Sequence, residues 1–538
     1  MKRVIVILMA IVMVLSMAAC DSTNQNDNTN TQAPSTGQTS GDNSQAPPPP
    51  AQGDYVGKTL TVVTQGEPEF LLGQAGVTGI NSTLIIKAIF NTLYEPNEKG
   101  ELVPCIAKSY EWVDDLHIRV FLRDDVYDVK GNKITAEDVL FSFVIGLESG
   151  QNAVAYTESF TLDEWVIEDD YTLVIALCAP NATVWDTISD YAFQILSKKS
   201  FEELGGMAAA SMNPLCGTGR YKFKEWVPGQ YIEIEYNENY WDKSFVPAYQ
   251  FMRLTFVGDS AARVMAVQSG AADVALELSA PDVMGVRNDP NITIHETPLN
   301  RGTTIYFNCS REPFGDARVR QAIKMLIDPM DAVAIAGGVV TQTGVVPGHP
   351  YHWAEGANIP RTVDIEGAKA LLAEAGFPNG FSFELMVEPA IGFDTIAQAI
   401  QSRLAAGGID MVLSLPSFPD YFGRMPTCDY DAILTTAGMG TTLTVELRRF
   451  DGRYNSFESR GGAEYMNPAL NDLMDTYYFN TDANARRAAV IEIQKILFEE
   501  APVIGFNTHI YYSVSRTGIG NIVMDLFGFP QMHFIRPV

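Results

Sequence analysis

From residue 58 to residue 500 the chain alternates between two hydrophobic periodicities, and that alternation limits the folds open to it. Residues 58–64 (KTLTVVT) have strand composition with partial every-other-residue alternation. Residues 115–123 place Ile118, Val120 and Leu122 on one strand face. Segments 171–177, 231–236, 303–308, 381–387 and 411–415 have the same character. Helical spacing intervenes. Leu84, Lys87, Ala88 and Asn91 fall in successive turns of 83–94, and Val139, Leu140, Phe143, Val144 and Leu147 follow a capping-box-like Thr135-Ala-Glu-Asp138. Asp316 precedes Val319, Ala322, Ile323 and Leu326 as a helix cap. Asp364 does the same for Ala368, Leu371, Leu372 and Ala375, which Gly376 closes. Residues 395–406 and 486–500 add two more helices, the second carrying Val490, Ile493, Gln494 and Leu497. Strands alternating with helices predict an α/β or α+β architecture with mixed sheets. The span 55–538 exceeds one ordinary core, so two to three domains are expected.

The first 54 residues follow different rules. Lys2 and Arg3 precede an apolar run at 4–15, then Ser16, Met17, Ala18, Ala19 and Cys20. A basic end, a short apolar core and small residues form a secretory signal, too short for a comfortable membrane span of ~20 residues. Ala18-Ala19 before Cys20 resembles a lipobox, with Met17 where Leu is usual. The cysteine of a lipobox is acylated after cleavage, and two or three chains hold a protein at a membrane where one binds only marginally. Residues 21–54 contain Asn, Thr, Gln, Ser, Gly, Asp and Pro, with alanine as the only aliphatic residue. Such a stretch buries too little apolar area to offset its ordering entropy. It reads as a tether of roughly 30 Å or more. The expectation is a signal peptide at 1–19, a lipidated Cys20 with a disordered tether at 20–54, and a protein on the extracytoplasmic face of the cell membrane.

Charge narrows the partners. The chain carries 65 acidic and 37 basic residues, a formal charge of −28, or −30 without Lys2 and Arg3. Nucleic acid is a poor partner for such a surface. Cys105, Cys178, Cys216, Cys309 and Cys428 lie far apart, without CxxC or metal-type spacing, and Leu177-Cys178-Ala179 suggests a small buried hydrophobe. His349-Pro-Tyr-His352 has HxxH spacing but no carboxylate, so it reads as a surface loop. No metal or cofactor is expected. HExxH, GxSxG and a Cys/His nucleophile arrangement are absent, so the chain reads as a non-enzyme.

Five ordered segments resemble the peptide/nickel type, or family 5, of extracellular solute-binding proteins of ABC importers. They are Leu102-Val-Pro-Cys-Ile-Ala-Lys-Ser-Tyr-Glu-Trp112; Phe121-Leu-Arg-Asp-Asp-Val126 with Gly131 and Thr135-Ala-Glu-Asp-Val139; Asn213-Pro-Leu-Cys-Gly-Thr-Gly-Arg-Tyr221 with Trp226, Gly229 and Asn239-Tyr-Trp241; Asn308 with Pro313-Phe-Gly-Asp-Ala-Arg-Val-Arg-Gln-Ala-Ile323 and Asp328; and residues 368–377. Read physically, Gly217-Thr-Gly219 supplies backbone freedom for a tight connection, Asp316 caps a helix, and Arg318 and Arg320 pair with acidic neighbours. These residues mark scaffold rather than ligand contact.

The resemblance implies an α/β fold of the type II periplasmic-binding kind, with mixed sheets, two lobes, a hinge and an inserted subdomain. Lobe I would be 55–94, 176–298 and 507–538, the inserted subdomain 95–175, and lobe II 299–506. It also implies a monomeric receptor that captures a small solute, peptide or oligosaccharide, between the lobes for ABC permease and ATPase subunits. A secreted glycan or peptide hydrolase and a solute sensor without transport are the alternatives. By position against the family, the ligand-binding candidates are Gly79, Ile80, Tyr156, Phe418, Met439 and Gly440, with Gln65, Glu67, His352 and Trp353 as weaker additions. Peptide-binding members hold the ligand ammonium with an aspartate after a tryptophan. Those places fall near Gly440 and Ala437 in the segment starting at Tyr430-Asp431, and both features are missing. A buried ammonium without a counter-charge is costly. A neutral oligosaccharide, or a peptide held by another carboxylate, fits this departure.

Overall fold

The computed structural model describes residues 55–538 except 77–78, 150–158, 346–350, 357–358, 391, 438–442, 444–445, 448, 452–463, 481 and 526–527. The side chains of residues 300, 418, 419, 422 and 426 are likewise not described. The signal, Cys20 and tether all lie outside the described residues.

Among the described residues sixteen strands carry the architecture, besides a two-residue pair at Ile519–Gly520 and Arg536–Pro537. β1 (Thr59–Thr64) is followed by the short pair β2 (Tyr94–Pro96) and β3 (Leu102–Pro104). Next come β4 (Ala107–Trp112), β5 (His117–Leu122), β6 (Val166–Asp169) and β7 (Thr172–Ala176), which form a separate four-stranded sheet in the order β4-β5-β7-β6. Ile118, Val120 and Leu122 are fully buried beneath it, as their alternation predicts. They pack with Val139 and Phe143 of the Ala136–Glu148 helix. That helix starts where the capping box places it: Asp138 accepts bonds from the Thr135 backbone N–H at 2.8 Å and from Oγ1 at 3.0 Å.

The remaining strands are β8 (Tyr221–Val227), β9 (Tyr231–Tyr236), β10 (Phe251–Phe256), β11 (Val274–Leu278), β12 (Ile292–Phe307), β13 (Ser382–Val387), β14 (Asp410–Ser414), β15 (Ala432–Ala437) and β16 (Val503–Arg516). With β1 they make one mixed sheet, ordered β14-β13-β15-β12-β16-β11-β1-β10-β9-β8. β11, β1 and β10 run parallel, as do β14, β13 and β15. The antiparallel pair β12/β16 spans the middle and belongs to both halves. One half packs Leu60, Val62, Ile85, Ile234 and Leu254 into its core. The other packs Val319, Ile323, Leu372, Leu385 and Leu434. Each such side chain contributes about 1.5–3 kcal/mol when fully buried, so each half has its own apolar reason to stay compact.

Several sequence expectations need correction. The helix expected at 83–94 is Ile80–Ile89, and Tyr94 belongs to β2. Its start has no side-chain cap, so composition does not mark it, and Phe90 is already extended. The strand expected at 303–308 is only the last part of the sixteen-residue β12. Cys178 is exposed, whereas Cys105, Cys216 and Cys428 are buried and Cys309 is half-buried. Cys178 follows the last residues of β7, where the chain leaves the sheet.

Gly217 and Gly219 serve close approach rather than left-handed backbone. A Cβ on Gly217 would lie 2.2 Å from the Ile89 carbonyl oxygen, and one on Gly219 would lie 2.4 Å from the Ile89 carbonyl carbon. Gly219 N–H donates to Ile89 O at 3.0 Å, and Thr218 Oγ1 accepts from Asn91 N–H at 3.1 Å. The motif therefore clamps the C-terminal end of the Ile80–Ile89 helix. Arg320 pairs with an acidic neighbour, as expected, but mainly bonds to backbone carbonyls. It donates to the carbonyls of Phe314, Gly315 and Glu500 and lies 4.0 Å from the Glu500 carboxylate.

Candidate ligand-binding cleft

Strand direction locates the cleft. β11 ends at Leu278, paired with Tyr512 of β16. β15 ends at Ala437, paired with Gly302 of β12. The carboxyl ends of the parallel strands in both halves thus converge on the middle of the β12/β16 pair. Ligands of open α/β sheets bind outside such carboxyl ends, where strand order reverses.

The middle of that pair is irregular. Pro298 pairs with Ile510 and Gly302 with Thr508, so Leu299, Asn300 and Arg301 stand against His509 alone. A bulge of this kind re-aims side chains and recurs beside functional sites. Here it carries Arg301, whose Nε is shut off from solvent and has no acceptor. Among the described residues the Arg301 guanidinium makes no hydrogen bond and no ion pair. Burial lowers its pKa, while Tyr511, Glu388 and Glu277 act in the opposite direction. Opposite Arg301, His509 lies 3.1 Å from Thr303 Oγ1 through Nε2. Burial, and then the Arg301 charge, push its pKa down to about 4, so the ring is neutral at pH 7.

Glu277 and Glu388 come from opposite halves. Glu277 sits on β11 in the left-handed region, with φ 55°, an uncommon conformation for a side-chain-bearing residue. Its backbone is fixed by Arg263, which donates to the carbonyls of Leu276 and Glu277. Its carboxylate accepts from Thr64 Oγ1 and from Gln65 N–H, the latter at 3.2 Å. Thr64 Oγ1 also meets Asn81 Oδ1, which brings the start of the Ile80–Ile89 helix to the end of β1. Glu388, one residue beyond β13, accepts from Thr435 Oγ1 at 2.8 Å and Thr436 N–H at 2.7 Å. Both carboxylates are thus fixed by hydrogen bonds from their own half.

The sequence candidates divide against this frame. Gly79 is exposed and Ile80 half-buried, at the uncapped start of the helix beside Thr64 and Glu277. Phe418 opens the Phe418–Arg424 helix just after β14. Tyr156, Met439 and Gly440 lie outside the described residues. Gln65 is exposed at the end of β1. Glu67 accepts from Trp226 Nε1 at 2.6 Å and Gly229 N–H at 3.0 Å, which is a brace within its own half. Trp353 packs edge-on against Phe498, and His352 Nδ1 lies 3.2 Å from Val345 O. Sequence reading missed Arg301, His509, Glu277 and Glu388. None belongs to a motif, and their one signal is position at strand ends or beside a bulge. Among the described residues no cluster of three or more His, Cys, Asp or Glu could hold a metal ion.

Comparison with known proteins identifies the family and the fold. The family model of bacterial extracellular solute-binding proteins, family 5, matches residues 101–448. The chain belongs to this family. The dipeptide-binding protein of Escherichia coli K12 is 25% identical over 516 residues, covering 89% of this chain and 94% of that protein. HbpA2 of Haemophilus parasuis superposes with a TM-score of 0.79 at 22% identity, covering 89% of this chain and all of that one. The unliganded open form of the murein tripeptide-binding protein MppA gives 0.75 at 20% identity, over 89% of this chain and 97% of that one. The fold is that of a type II periplasmic-binding protein, and the family 5 assignment makes the chain an extracellular solute-binding protein. No helix among the described residues is long and apolar enough to cross a membrane.

Proposed function

We propose that this family 5 protein is the receptor subunit of an ABC importer, which captures peptides between two lobes and delivers them to the permease and its ATPase. The observation that carries this reading is the convergence of parallel-strand carboxyl ends from both halves on the β12/β16 crossover. The relatives' names add peptide as the first ligand class. Lobe I is drawn at 55–94, 176–298 and 507–538, the inserted subdomain at 95–175, and lobe II at 299–506. β12 and β16 serve as the hinge, and ligand favours the closed arrangement by binding it better. Gly79, Ile80, Tyr156, Phe418, Met439 and Gly440 line the cleft, and binding rather than catalysis is its task. Cys20 carries the acyl anchor, and residues 21–54 hold the receptor off the extracytoplasmic face of the cell membrane.

Native mass spectrometry of gently purified protein tests the ligand class. A ladder of co-purified peptide masses supports it. A discrete oligosaccharide mass replaces peptide with the neutral solute that fits the missing aspartate at Gly440. Turnover of a peptide or glycan by pure protein, lost on mutating one carboxylate, overturns the receptor reading.

A further inference from the structure

The crossover holds a charge with no partner among the described residues. A guanidinium without an acceptor, and partly cut off from water, is one of the costlier groups a fold can keep. Elsewhere the buried arginines each reach at least one acceptor, although Nε of Arg220 and Nε and Nη2 of Arg361 have none. Arg263 donates to four carbonyls, those of Val257, Gly258, Leu276 and Glu277. Arg320 has three carbonyl acceptors, and Arg220 meets Glu95 at 2.9 Å. Arg301 has none of these. A two-residue excess in β12 sets it opposite His509, at the point where strand ends from both halves meet.

We propose that Arg301 is the docking point for a carboxylate of the bound solute, making the ligand class of this cleft carboxylate-bearing rather than neutral. The inference rests on the receptor reading and adds the chemistry of the ligand to it. The planar fork of a guanidinium matches a carboxylate through two parallel hydrogen bonds. The surroundings select a single negative charge. Glu277 and Glu388 both act on Arg301, and each is fixed by donors of its own half. The field of these two carboxylates at Arg301 disfavours a dianion such as a phosphate monoester. Arg301 accepts a ligand that pairs a carboxylate with a cationic group elsewhere. A zwitterionic peptide has that pattern, and a neutral oligosaccharide leaves the half-buried guanidinium without a counter-charge. The glutamates also supply negative charge near the crossover in a chain that lacks the family's aspartate at Gly440.

The test uses the full extracytoplasmic chain, unfolded and refolded to strip co-purified ligand. The probes are one set of di- to pentapeptides with free C-terminal carboxylates and the same set as C-terminal amides. Binding is read by calorimetry on wild type, R301Q and R301M. Free-carboxylate peptides bind wild type at least about thirtyfold more tightly than their amides, and R301Q loses a similar factor, as expected when one partner of a buried charge pair is removed. Ligand-free R301M melts at or above the wild-type temperature, because it removes an uncompensated charge. Amides binding as tightly as acids, or R301Q retaining full affinity, overturns the proposal while leaving the receptor reading intact. If neither peptide form binds wild type, the peptide reading fails and the ligand-free melt decides Arg301. A stabilised R301M supports the unpaired-charge argument, and a markedly destabilised one makes Arg301 structural.

Discussion

Arg318 and Arg320 sit two residues apart in one motif, yet the structure assigns them unequal weight. Arg318 lies on the surface, with its side chain 48% exposed, paired with Asp316 at 2.6 Å and donating to Glu374 O at 2.9 Å. Arg320 has a side chain only 2% exposed. Its Nη1 donates to Phe314 O at 2.6 Å and Gly315 O at 3.3 Å, and its Nε donates to Glu500 O at 3.0 Å. Its guanidinium carbon also lies 5.6 Å from the Tyr465 ring centroid. It thus ties the approach to the Ala317–Leu326 helix to the end of the Ala483–Glu500 helix.

Replacing Arg320 with methionine keeps most of the apolar stem but leaves those carbonyls without their donor. Hydrogen bonds to charged groups contribute about 1.5–3 kcal/mol each. One of the three is long and the acceptors relax in part, so R320M is expected to cost about 3–5 kcal/mol. R318M removes an exposed ion pair worth about 1 kcal/mol or less. Urea unfolding followed by far-UV circular dichroism separates the cases: R320M moves the midpoint strongly and R318M barely. Equal shifts, or a larger one for R318M, would refute the assignment of the structural role to buried carbonyl bonding.

Asp190 offers a pH test, since burial pushes its carboxyl up to about 6 against the pull of Lys87. The folded value exceeds the unfolded one of about 3.9, so the native state binds the extra proton and stability falls between pH ~4 and ~6, by about 3 kcal/mol; D190N should remove that slope, and parallel wild-type and D190N stability profiles would contradict it. His509 has the opposite sign: its pKa is about 4 when folded, so its contribution is present above the unfolded value of about 6.5 and lost as pH falls toward 4. Its imidazole NMR signal should not titrate above pH ~5, and a midpoint near 6.5 would place the ring in water. G219A forces a Cβ to within 2.4 Å of the Ile89 backbone and should cost about 1–3 kcal/mol or more. G229A, at φ 70° with open space around its Cβ, should cost about 1 kcal/mol, and a reversed order in thermal melts would sink the close-approach explanation.

Much of the scaffold was legible because its signals are local. Asp316 and Asp364 cap the helices expected of them, accepting from Arg318 N–H and Gly367 N–H, each at 2.8 Å. β9 runs from Tyr231 to Tyr236, the range its composition marks. Val490, Ile493, Gln494 and Leu497 are buried on one face of their helix. What escaped depends on long-range pairing. The Ile80–Ile89 helix begins without a capping side chain, and its start is tied instead to the end of β1 through Thr64 and Asn81. The length of β12 reflects β16, roughly two hundred residues away, and single-segment alternation carries no trace of a partner at that distance. The glycines of 217–219 look like turn glycines until the helix they press against is known.

The same distinction explains why family motifs did not lead to the cleft chemistry. Motif residues satisfy demands that every member of the fold must meet: Asp138 and Asp316 cap helices, Gly219 admits a backbone, Arg320 ties two helix ends. Such residues finish with their bonding complete, which makes them poor ligand contacts. Arg301 is the reverse case, in no motif and with a guanidinium that nothing among the described residues completes. Its neighbours are nonetheless arranged: His509 is held neutral, and Glu277 and Glu388 are fixed by donors from their own halves. A fold that gives its other buried arginines at least one acceptor, and Arg301 none among the described residues, has left that bonding unmet where the strand ends of both halves meet. On the proposed reading, closing the halves over a bound carboxylate would strengthen its bond to Arg301 by excluding water, so a charge that would weaken the empty protein would also favour closure.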